Sequence, residues 1–178
     1  MIAYEKTIKK ERIFSGRVLT FDVDTVELPD GTTGTRELVY HPGGVGVVAV
    51  DDGGCVYMVR QFRKPYEEVL LEIPAGKLEK GEEPLEAAKR ELAEETGVTC
   101  RQIVELGEFY PSVGYTNENL RLFLDKVESA GEASPDEDEY LDVSLIPLKK
   151  LKEMIMSGEI KDGKTIAAIL KAAVYLNM

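Results

Sequence analysis

GKLEKGEEPLEAAKRELAEETGV, residues 76–98, is the stretch of sequence that decides the fold of this 178-residue chain. Its second half predicts a helix from about Pro84 to Thr96. Proline suits the first helical turn, where its missing N–H would have no partner in any case. Gly97 suits the position after a helix, where the chain often turns left-handed. The stretch is therefore a loop followed by a short helix.

The two sides of this helix differ in polarity. Leu85, Ala88 and Leu92 recur at helical spacing, so we expect them to face the core. Glu91 and Glu95 then lie on an adjacent face, toward a cleft.

Three glutamates, Glu91, Glu94 and Glu95, crowd the helix. Residues three and four apart on a helix are neighbours, so these like charges repel one another. The cluster becomes favourable when a hard divalent cation sits among the carboxylates, because Mg²⁺ and Mn²⁺ prefer oxygen ligands. Taken alone, the three glutamates also fit a solvated helix face, and the surrounding residues must separate the two interpretations.

The spacing of the whole stretch resembles a known signature. Gly76 is followed after five residues by Glu82, and after seven more by the run RELAEETGV at 90–98. This matches every fixed position of the Nudix box, the signature of hydrolases that cleave a nucleoside diphosphate linked to another group. The resemblance extends from about Phe14 to the C-terminal helix, and the flanks are most similar to ADP-ribose pyrophosphatases.

The resemblance implies a metal site built on the box. Glu91 and Glu95 are its principal ligands, and Glu94 and the backbone carbonyl of Ala75 contribute. The ion is Mg²⁺, with Mn²⁺ as a substitute. Glu82 is either a further ligand or an anchor for the loop.

Three other residues of the stretch belong to the same expected site. Arg90 precedes Glu94 by four residues, close enough to pair with a carboxylate and hold it in place. Gly76 would let the loop backbone approach metal and phosphate closely. Gly76 and Lys77 are expected to contact the substrate.

The segment YPSVGYTNE, residues 110–118, resembles the Ser-Pro-Gly loop of ADP-ribose pyrophosphatases. Val113 stands where these relatives carry a second proline, which would stiffen the loop. By resemblance Ser112 and Gly114 contact the substrate. Glu118 either accepts hydrogen bonds from the terminal ribose hydroxyls or is an exposed loop carboxylate.

Two further segments resemble substrate-binding parts of the subfamily. In QFRKP, residues 61–65, Arg63 is either a fork onto the diphosphate or a surface arginine at a strand end. Arg36 and Glu37 match a segment that in relatives reaches the adenine site, sometimes from the partner subunit. His41 and the glycines after it are expected to shape a turn.

The general base is expected in the acidic run 136–139. In this subfamily the base often comes from a loop in this position, and a carboxylate near metal-bound water needs only to accept a proton. Glu139 is the first choice and Glu137 the second. The alternative is an acidic loop that is merely solvated.

Composition excludes several classes of function. A net charge of -11 offers no basic stripe for nucleic acid, and it disfavours an anionic membrane surface. The N-terminus has no apolar stretch long enough to be expected as a signal peptide, and no run approaches the roughly 20 apolar residues that span a bilayer. Cys55 and Cys100 form no CxxC pair, which indicates ordinary thiols in a reducing cytoplasm. The single histidine, His41, leaves acid–base chemistry to carboxylates or metal-bound water.

The rest of the chain predicts an α+β fold. A hairpin is expected around Pro29–Gly31, two strands around the turn at 51–54, and helices near 148–156 and 164–176. The resemblance implies a mixed sheet sandwiched between helices (α/β/α), with an N-terminal antiparallel sheet before it. We expect one domain over 1–178, in which about 1–42 contributes to a homodimer and about 43–178 forms the core.

The function implied by the resemblance is metal-dependent hydrolysis of ADP-ribose to AMP and ribose 5-phosphate. One alternative keeps the chemistry and changes the small-molecule substrate to another ADP-sugar, a dinucleoside polyphosphate, FAD or NADH. The other alternative is a non-catalytic nucleotide-sensing module. Such modules usually carry a degraded box or an appended DNA-binding domain, and this chain has neither.

Overall fold

The computed structural model describes residues 4–135 and 140–178. Within these residues the strands are β1 Lys6–Ser15, β2 Thr20–Glu27, β3 Thr33–Tyr40, β4 Gly44–Val50, β5 Cys55–Arg63, β6 Glu68–Glu72, β7 Ala75–Lys77, β8 Val98–Phe109, β9 Leu120–Ala130 and β10 Leu141–Pro147. The helices are α1 Pro84–Thr96, α2 Leu148–Ser157 and α3 Gly163–Tyr175. None of the helices described is long and apolar enough to cross a membrane.

The chain divides into two compact units. The first comprises residues 1–43 and 110–119, and the second comprises residues 44–109 and 120–178. Residues 110–119 are thus grouped with the N-terminal segment. The single domain over 1–178 stays a prediction.

The first unit contains a three-stranded antiparallel sheet in the order β1-β2-β3. The predicted hairpin is confirmed: β2 pairs with β3 from Thr20↔Tyr40 to Glu27↔Thr33. Its turn is closed by a hydrogen bond from the N–H of Gly31, at φ 79°, to the carbonyl of Leu28 at 2.9 Å. The N-terminal antiparallel sheet implied by the resemblance is therefore present.

The second unit contains a seven-stranded mixed sheet. Its main order is β10-β5-β4-β9-β8, with β6 beside β5 and β7 beside β4. β4 and β9 run parallel, and the other pairs are antiparallel. The predicted α+β class is confirmed.

β4 carries the core on both of its faces, because successive side chains of a strand point to opposite sides. Val45 and Val47 belong to one buried cluster with Leu92 of α1. Val48 and Val50 belong to the other, with the buried residues of α2 and α3. The sheet of this unit is therefore covered by α1 on one face and by α2 and α3 on the other.

Helix α1 has the predicted bounds. It has proline in its first turn and ends at Gly97, whose φ of 70° is left-handed and whose N–H donates to the carbonyl of Ala93 at 2.8 Å. The expectation that Leu85 faces the core was wrong: it is 40% exposed, whereas Ala88 and Leu92 are fully buried. Leu85 lies at the edge of the buried stripe, which also contains two glutamates.

Candidate active site

The loop before α1 lies directly against the central strand. In β7, Ala75 pairs with Gly46 and Gly76 pairs with Val45 of β4. A Cβ on Gly44 would stand 2.6 Å from the carbonyl oxygen of Gly76, so this close approach requires glycine at 44. The backbone at Ala75 and Gly76 is therefore held by pairing with β4.

Two buried carboxylates of α1 face this loop. Glu95 is 2% exposed, and its Oε2 accepts a hydrogen bond from the N–H of Ala75 at 3.1 Å. Glu91 is 9% exposed, and its carboxylate occupies the space where a Cβ on Gly76 would be. Glycine at 76 thus makes room for the side chain of Glu91. The expected close approach of this loop to metal and phosphate stays a prediction.

Arg90 connects the carboxylates of the stretch. Its Nη1 donates to Glu91 Oε1 at 2.9 Å and to Glu94 Oε2 at 3.0 Å, while Nε and Nη2 fork onto Glu82 at 2.9 and 3.0 Å. These hydrogen bonds raise the pKa of Arg90 far above its ordinary value, the fork onto Glu82 contributing most. The sequence predicted one partner for Arg90, and the structure gives it three.

Glu82 acts in the structure as an anchor of the loop. Its Oε2 accepts a hydrogen bond from the N–H of Glu79 at 3.0 Å, in addition to the fork from Arg90. These bonds lower its pKa, so the side chain stays ionised. Nη2 of Arg90 also reaches the carbonyl of Lys77 at 3.5 Å. Both contacts connect the loop to the start of the carboxylate cluster.

Arg63, at the end of β5, is half-buried and forks onto Glu72. Nε and Nη2 each lie 2.7 Å from a carboxylate oxygen of Glu72. This fork raises the pKa of Arg63 against the opposing effect of burial, and the charges of Asp162 and Glu95 act in the same direction. Arg63 is thus not a loose surface arginine.

The residues expected at the adenine and ribose belong to the first unit. Arg36 pairs with Glu5, with Nε 2.9 Å from its carboxylate. Glu118 lies 3.8 Å from Nδ1 of His41. That ring nitrogen accepts a hydrogen bond from the N–H of Gly43 at 3.1 Å, which agrees with the turn expected there.

The loop 110–119 is attached to the end of β3. The N–H of Val39 donates to the carbonyl of Tyr115 at 2.8 Å, and the amide oxygen of Asn117 accepts from the N–H of His41 at 2.8 Å. Within the loop the carbonyl of Ser112 accepts from Thr116 at 3.4 Å. The expected contacts of Ser112 and Gly114 with substrate stay predictions.

The two candidates for the general base, Glu137 and Glu139, lie outside the described residues. The segment before them contacts the end of α1. The N–H of Ser134 donates to the carbonyl of Glu94 at 2.8 Å, and that of Gly131 donates to the carbonyl of Gly97 at 2.8 Å.

Comparison with known proteins agrees with this geometry. A family model described as the NUDIX domain matches residues 40–169, which is well over half of the chain. The chain belongs to the Nudix family. A second model, the nucleoside diphosphate sugar hydrolase N-terminal domain, matches residues 5–39.

Relatives of this Nudix protein match along nearly its full length. An ADP-ribose pyrophosphatase of Bacillus subtilis (strain 168) is 48% identical over 167 residues, covering 93% of this chain and 90% of the relative. A methanol dehydrogenase activator of Bacillus methanolicus matches with the same identity and coverage. The crystal structure of an ADP compounds hydrolase superposes with a TM-score of 0.88 at 19% identity, covering 99% of this chain and 96% of that one. This last likeness shows the shared fold.

Nudix hydrolases generally need a divalent metal, and the residues of the box fit one. The donor set consists of oxygens, as hard cations require. Within residues 4–135 and 140–178, no three acidic, His or Cys side chains are already arranged as a metal-binding group. Arg90 holds Glu91 and Glu94 on its own guanidinium. The side chain of Glu91 fills a gap that only glycine at 76 leaves, beside Ala75 and its contact with Glu95.

Sequence reasoning missed the charged residues that surround Arg63. Glu72 is 2% exposed and pairs with Lys164 as well as with Arg63, and Lys164 also donates to Asp162 at 2.9 Å. The sequence contains one signal for this group, a glutamate inside the apolar run VLLEI, because buried acids are rare unless they are paired. Nothing in the sequence indicates that its partners are 9 and 92 residues away.

Proposed function

We propose that this Nudix protein hydrolyses the diphosphate bond of ADP-ribose to AMP and ribose 5-phosphate with a divalent metal, Mg²⁺ in the first instance and Mn²⁺ as a substitute. The observation that supports this most is the complete box, folded so that Glu91 and Glu95 are buried against the loop at Ala75 and Gly76. The name of the relative from Bacillus subtilis supports the choice of substrate.

The metal would be held by Glu91, Glu95 and Glu94, with the carbonyl of Ala75. When bound it supplies neutralisation of phosphoryl charge and a more acidic water. Arg90 holds the carboxylates in defined positions, because its Nη1 donates to Glu91 and Glu94 while its Nε and Nη2 donate to Glu82. A positioned carboxylate of this kind loses little freedom when a ligand arrives.

The chain's other residues bind and orient the substrate. Arg63 offers Nη1 to a phosphate oxygen, since Nε and Nη2 are engaged by Glu72. We assign Arg36, Ser112, Gly114 and Glu118 to the nucleoside and ribose ends. Their roles carry over from the resemblance.

The remaining assignments concern the loop and the base. Gly76 and Lys77, in the loop before α1, contact the phosphate groups of the substrate. Glu139, with Glu137 second, removes the proton from the attacking water, which requires a carboxylate that is ionised at neutral pH.

A second candidate substrate class is the nucleoside diphosphate sugars. It is favoured by the match of residues 5–39 to the N-terminal domain of nucleoside diphosphate sugar hydrolases. The equal identity to a relative named methanol dehydrogenase activator keeps a role in activating another enzyme as a third candidate. Sequence identity alone does not separate these, because substrate choice depends on loops.

The decisive experiment is product analysis with a substrate panel. Purified protein is incubated with ADP-ribose, ADP-glucose, diadenosine polyphosphates, FAD and NADH, each with Mg²⁺, with Mn²⁺ and with chelator. Preferential, metal-dependent formation of AMP and ribose 5-phosphate supports the proposal. Faster cleavage of another compound would change the substrate and keep the chemistry, and tight binding of nucleotides without cleavage would revive the sensing role.

Glu95→Gln and Glu86→Gln form a matched pair for the metal site. Both glutamates are on α1, but Glu86 is exposed and pairs with Lys89, at 2.8 Å. We expect Glu95→Gln to lose most turnover and keep its fold, and Glu86→Gln to resemble the wild type. Full activity of Glu95→Gln would contradict the role assigned to this carboxylate.

We propose further that the protein is a cytoplasmic homodimer. Strand β1 forms one edge of the N-terminal sheet, and all its residues are exposed in one chain. An exposed edge of this kind is a template for pairing with another chain. Light scattering measures the mass in solution, and a monomer at micromolar concentration would contradict the dimer. Both cysteines are free thiols, as a reducing compartment allows.

A further inference from the structure

A buried group of charges lies between the end of β6 and the start of α3. Glu72 is its centre, 2% exposed, and it is contacted by two cations, Arg63 and Lys164. Burial by itself would raise the pKa of Glu72, but the hydrogen bonds from Arg63 and the charge of Lys164 outweigh burial and hold the pKa below its ordinary value. Glu72 is therefore a buried anion with two partners.

The first turn of α3 fixes this group from the other side. Asp162 caps the helix, and its Oδ2 accepts from the N–H of Thr165 at 3.0 Å and from Lys164 Nζ at 2.9 Å. The hydroxyl of Thr165 donates to Asp162 at 2.6 Å and accepts from the N–H of Ile73 at 2.9 Å. Lys164 therefore lies in a helix turn that is held in place by its cap, and the same turn also holds Ile73, the residue after Glu72.

Arg63 is left with one usable edge. Nε and Nη2 donate to Glu72, and within residues 4–135 and 140–178 Nη1 donates no hydrogen bond. A guanidinium is planar, so an anion that holds one edge also sets the direction of the other edge. Glu72, the partner of Arg63, closely precedes Ala75, whose N–H donates to Glu95 Oε2 at 3.1 Å, and the charge of Glu95 also raises the pKa of Arg63.

We propose that Lys164 is a positioning residue for the substrate's diphosphate. It holds Glu72, and Glu72 in turn aims the Nη1 edge of Arg63 at a phosphate oxygen. Without Lys164 the carboxylate of Glu72 has a single cationic partner, and it can rotate together with the arginine. This inference rests on the proposed function, because it gives Arg63 the task of binding a diphosphate.

A double-mutant cycle tests whether Lys164 acts through Arg63. The variants are Lys164→Met, Arg63→Ala and the pair together, with kcat and KM measured on ADP-ribose and Mg²⁺. For Lys164→Met we expect KM to rise roughly tenfold, the size of one lost charge-assisted hydrogen bond, with kcat within about threefold of wild type. In the Arg63→Ala background the same change should alter KM by less than about twofold, because coupled residues are not additive.

Two variants control for general effects. Lys161→Met removes the exposed pair between Lys161, just before α3, and Glu68 of β6, and it should leave KM unchanged. Lys164→Arg keeps the positive charge, and its KM should stay within about threefold of wild type. If Lys164→Met does not fold, Lys164→Gln replaces it in the cycle, because its amide keeps a polar group beside Glu72.

The dissociation constant of ADP-ribose with chelator, where no metal-dependent turnover occurs, is measured for the same set. A wild type that binds but does not cleave would sink the proposed function, while the cycle in the dissociation constant still decides the role of Lys164. If the fold-changes of the two single variants multiply in the double variant, or if Lys164→Met binds ADP-ribose as the wild type does, the positioning role of Lys164 is overturned. The proposed function is untouched by either result. A wild type that neither binds nor cleaves ADP-ribose overturns both.

Discussion

Gly76→Ala changes one hydrogen into a methyl group at the position where the loop before α1 contacts Glu91 of that helix. The new Cβ would fall inside the carboxylate of Glu91, against both of its oxygens. To reach an ordinary contact the carboxylate must move by roughly 1 Å or more, and a displacement of this size at a reacting centre costs about a hundredfold in rate. We therefore expect kcat/KM to fall by about two orders of magnitude.

The stability of the same variant should change much less than its activity. Glu91 is the far end of a flexible side chain, so its rotation relieves the overlap for about 1–3 kcal/mol, the usual range for overpacking. At this chain length 1 kcal/mol lowers Tm by about 2–4 °C. A protein assayed at 25 °C would then stay folded, and the activity lost would report the displaced carboxylate.

The assay combines steady-state kinetics on ADP-ribose, a titration of Mg²⁺, and thermal denaturation. Gly131→Ala is the matched control, because its Cβ would make an ordinary contact with the carbonyl oxygen of Gly97, at 3.7 Å. We expect the Mg²⁺ concentration for half-maximal rate to rise in Gly76→Ala and to stay constant in the control. Activity of Gly76→Ala within threefold of wild type would refute the reasoning that Glu91 must occupy this gap.

Three further changes test other parts of the structure. Arg90→Met leaves the carboxylates to repel one another, so we expect a loss of about 2 kcal/mol in the free energy of unfolding and a fall in Tm of about 4–8 °C. Added Mg²⁺ should raise the Tm of this variant more than that of the wild type. An equal effect of Mg²⁺ on both proteins would contradict the role of Arg90 in holding these carboxylates. Gly97→Ala places a side chain at φ 70° and a Cβ 2.5 Å from the carbonyl oxygen of Gly131, so urea unfolding should show a loss above about 2 kcal/mol. Burial raises the pKa of Asp125 to about 6, so the folded protein binds this proton more tightly than the unfolded chain does. The free energy of unfolding should therefore fall by up to about 3 kcal/mol as pH rises from about 4 to about 6. Asp125→Asn should therefore gain stability relative to wild type across this window in urea unfolding, and a difference that does not vary with pH would contradict the assignment.

The secondary structure was largely determined by local sequence. The bounds of α1 follow from Pro84 and Gly97, because the first lacks an N–H and the second tolerates a left-handed backbone. The hairpin at Pro29–Gly31 follows from its turn residues in the same way. These signals act over a few residues, and a sequence states them directly. The misplaced Leu85 shows where they end, since helical spacing alone does not locate the edge of the buried stripe.

For the candidate site, too, the sequence predicted one part and the tertiary structure decided the other. The sequence by itself predicted which residues would carry the chemistry, because the match to the Nudix box implies roles for Glu91, Glu95 and Arg90. Only the tertiary structure decided how they are held. The burial of Glu72 between cations from β5 and α3 brings together residues up to 92 apart in the chain. The three carboxylates on Arg90 are nearer in sequence, but their sharing of one guanidinium depends on how the loop before α1 folds back to the helix. Such contacts arise from the packing of the sheet and helices, and local patterning does not encode them.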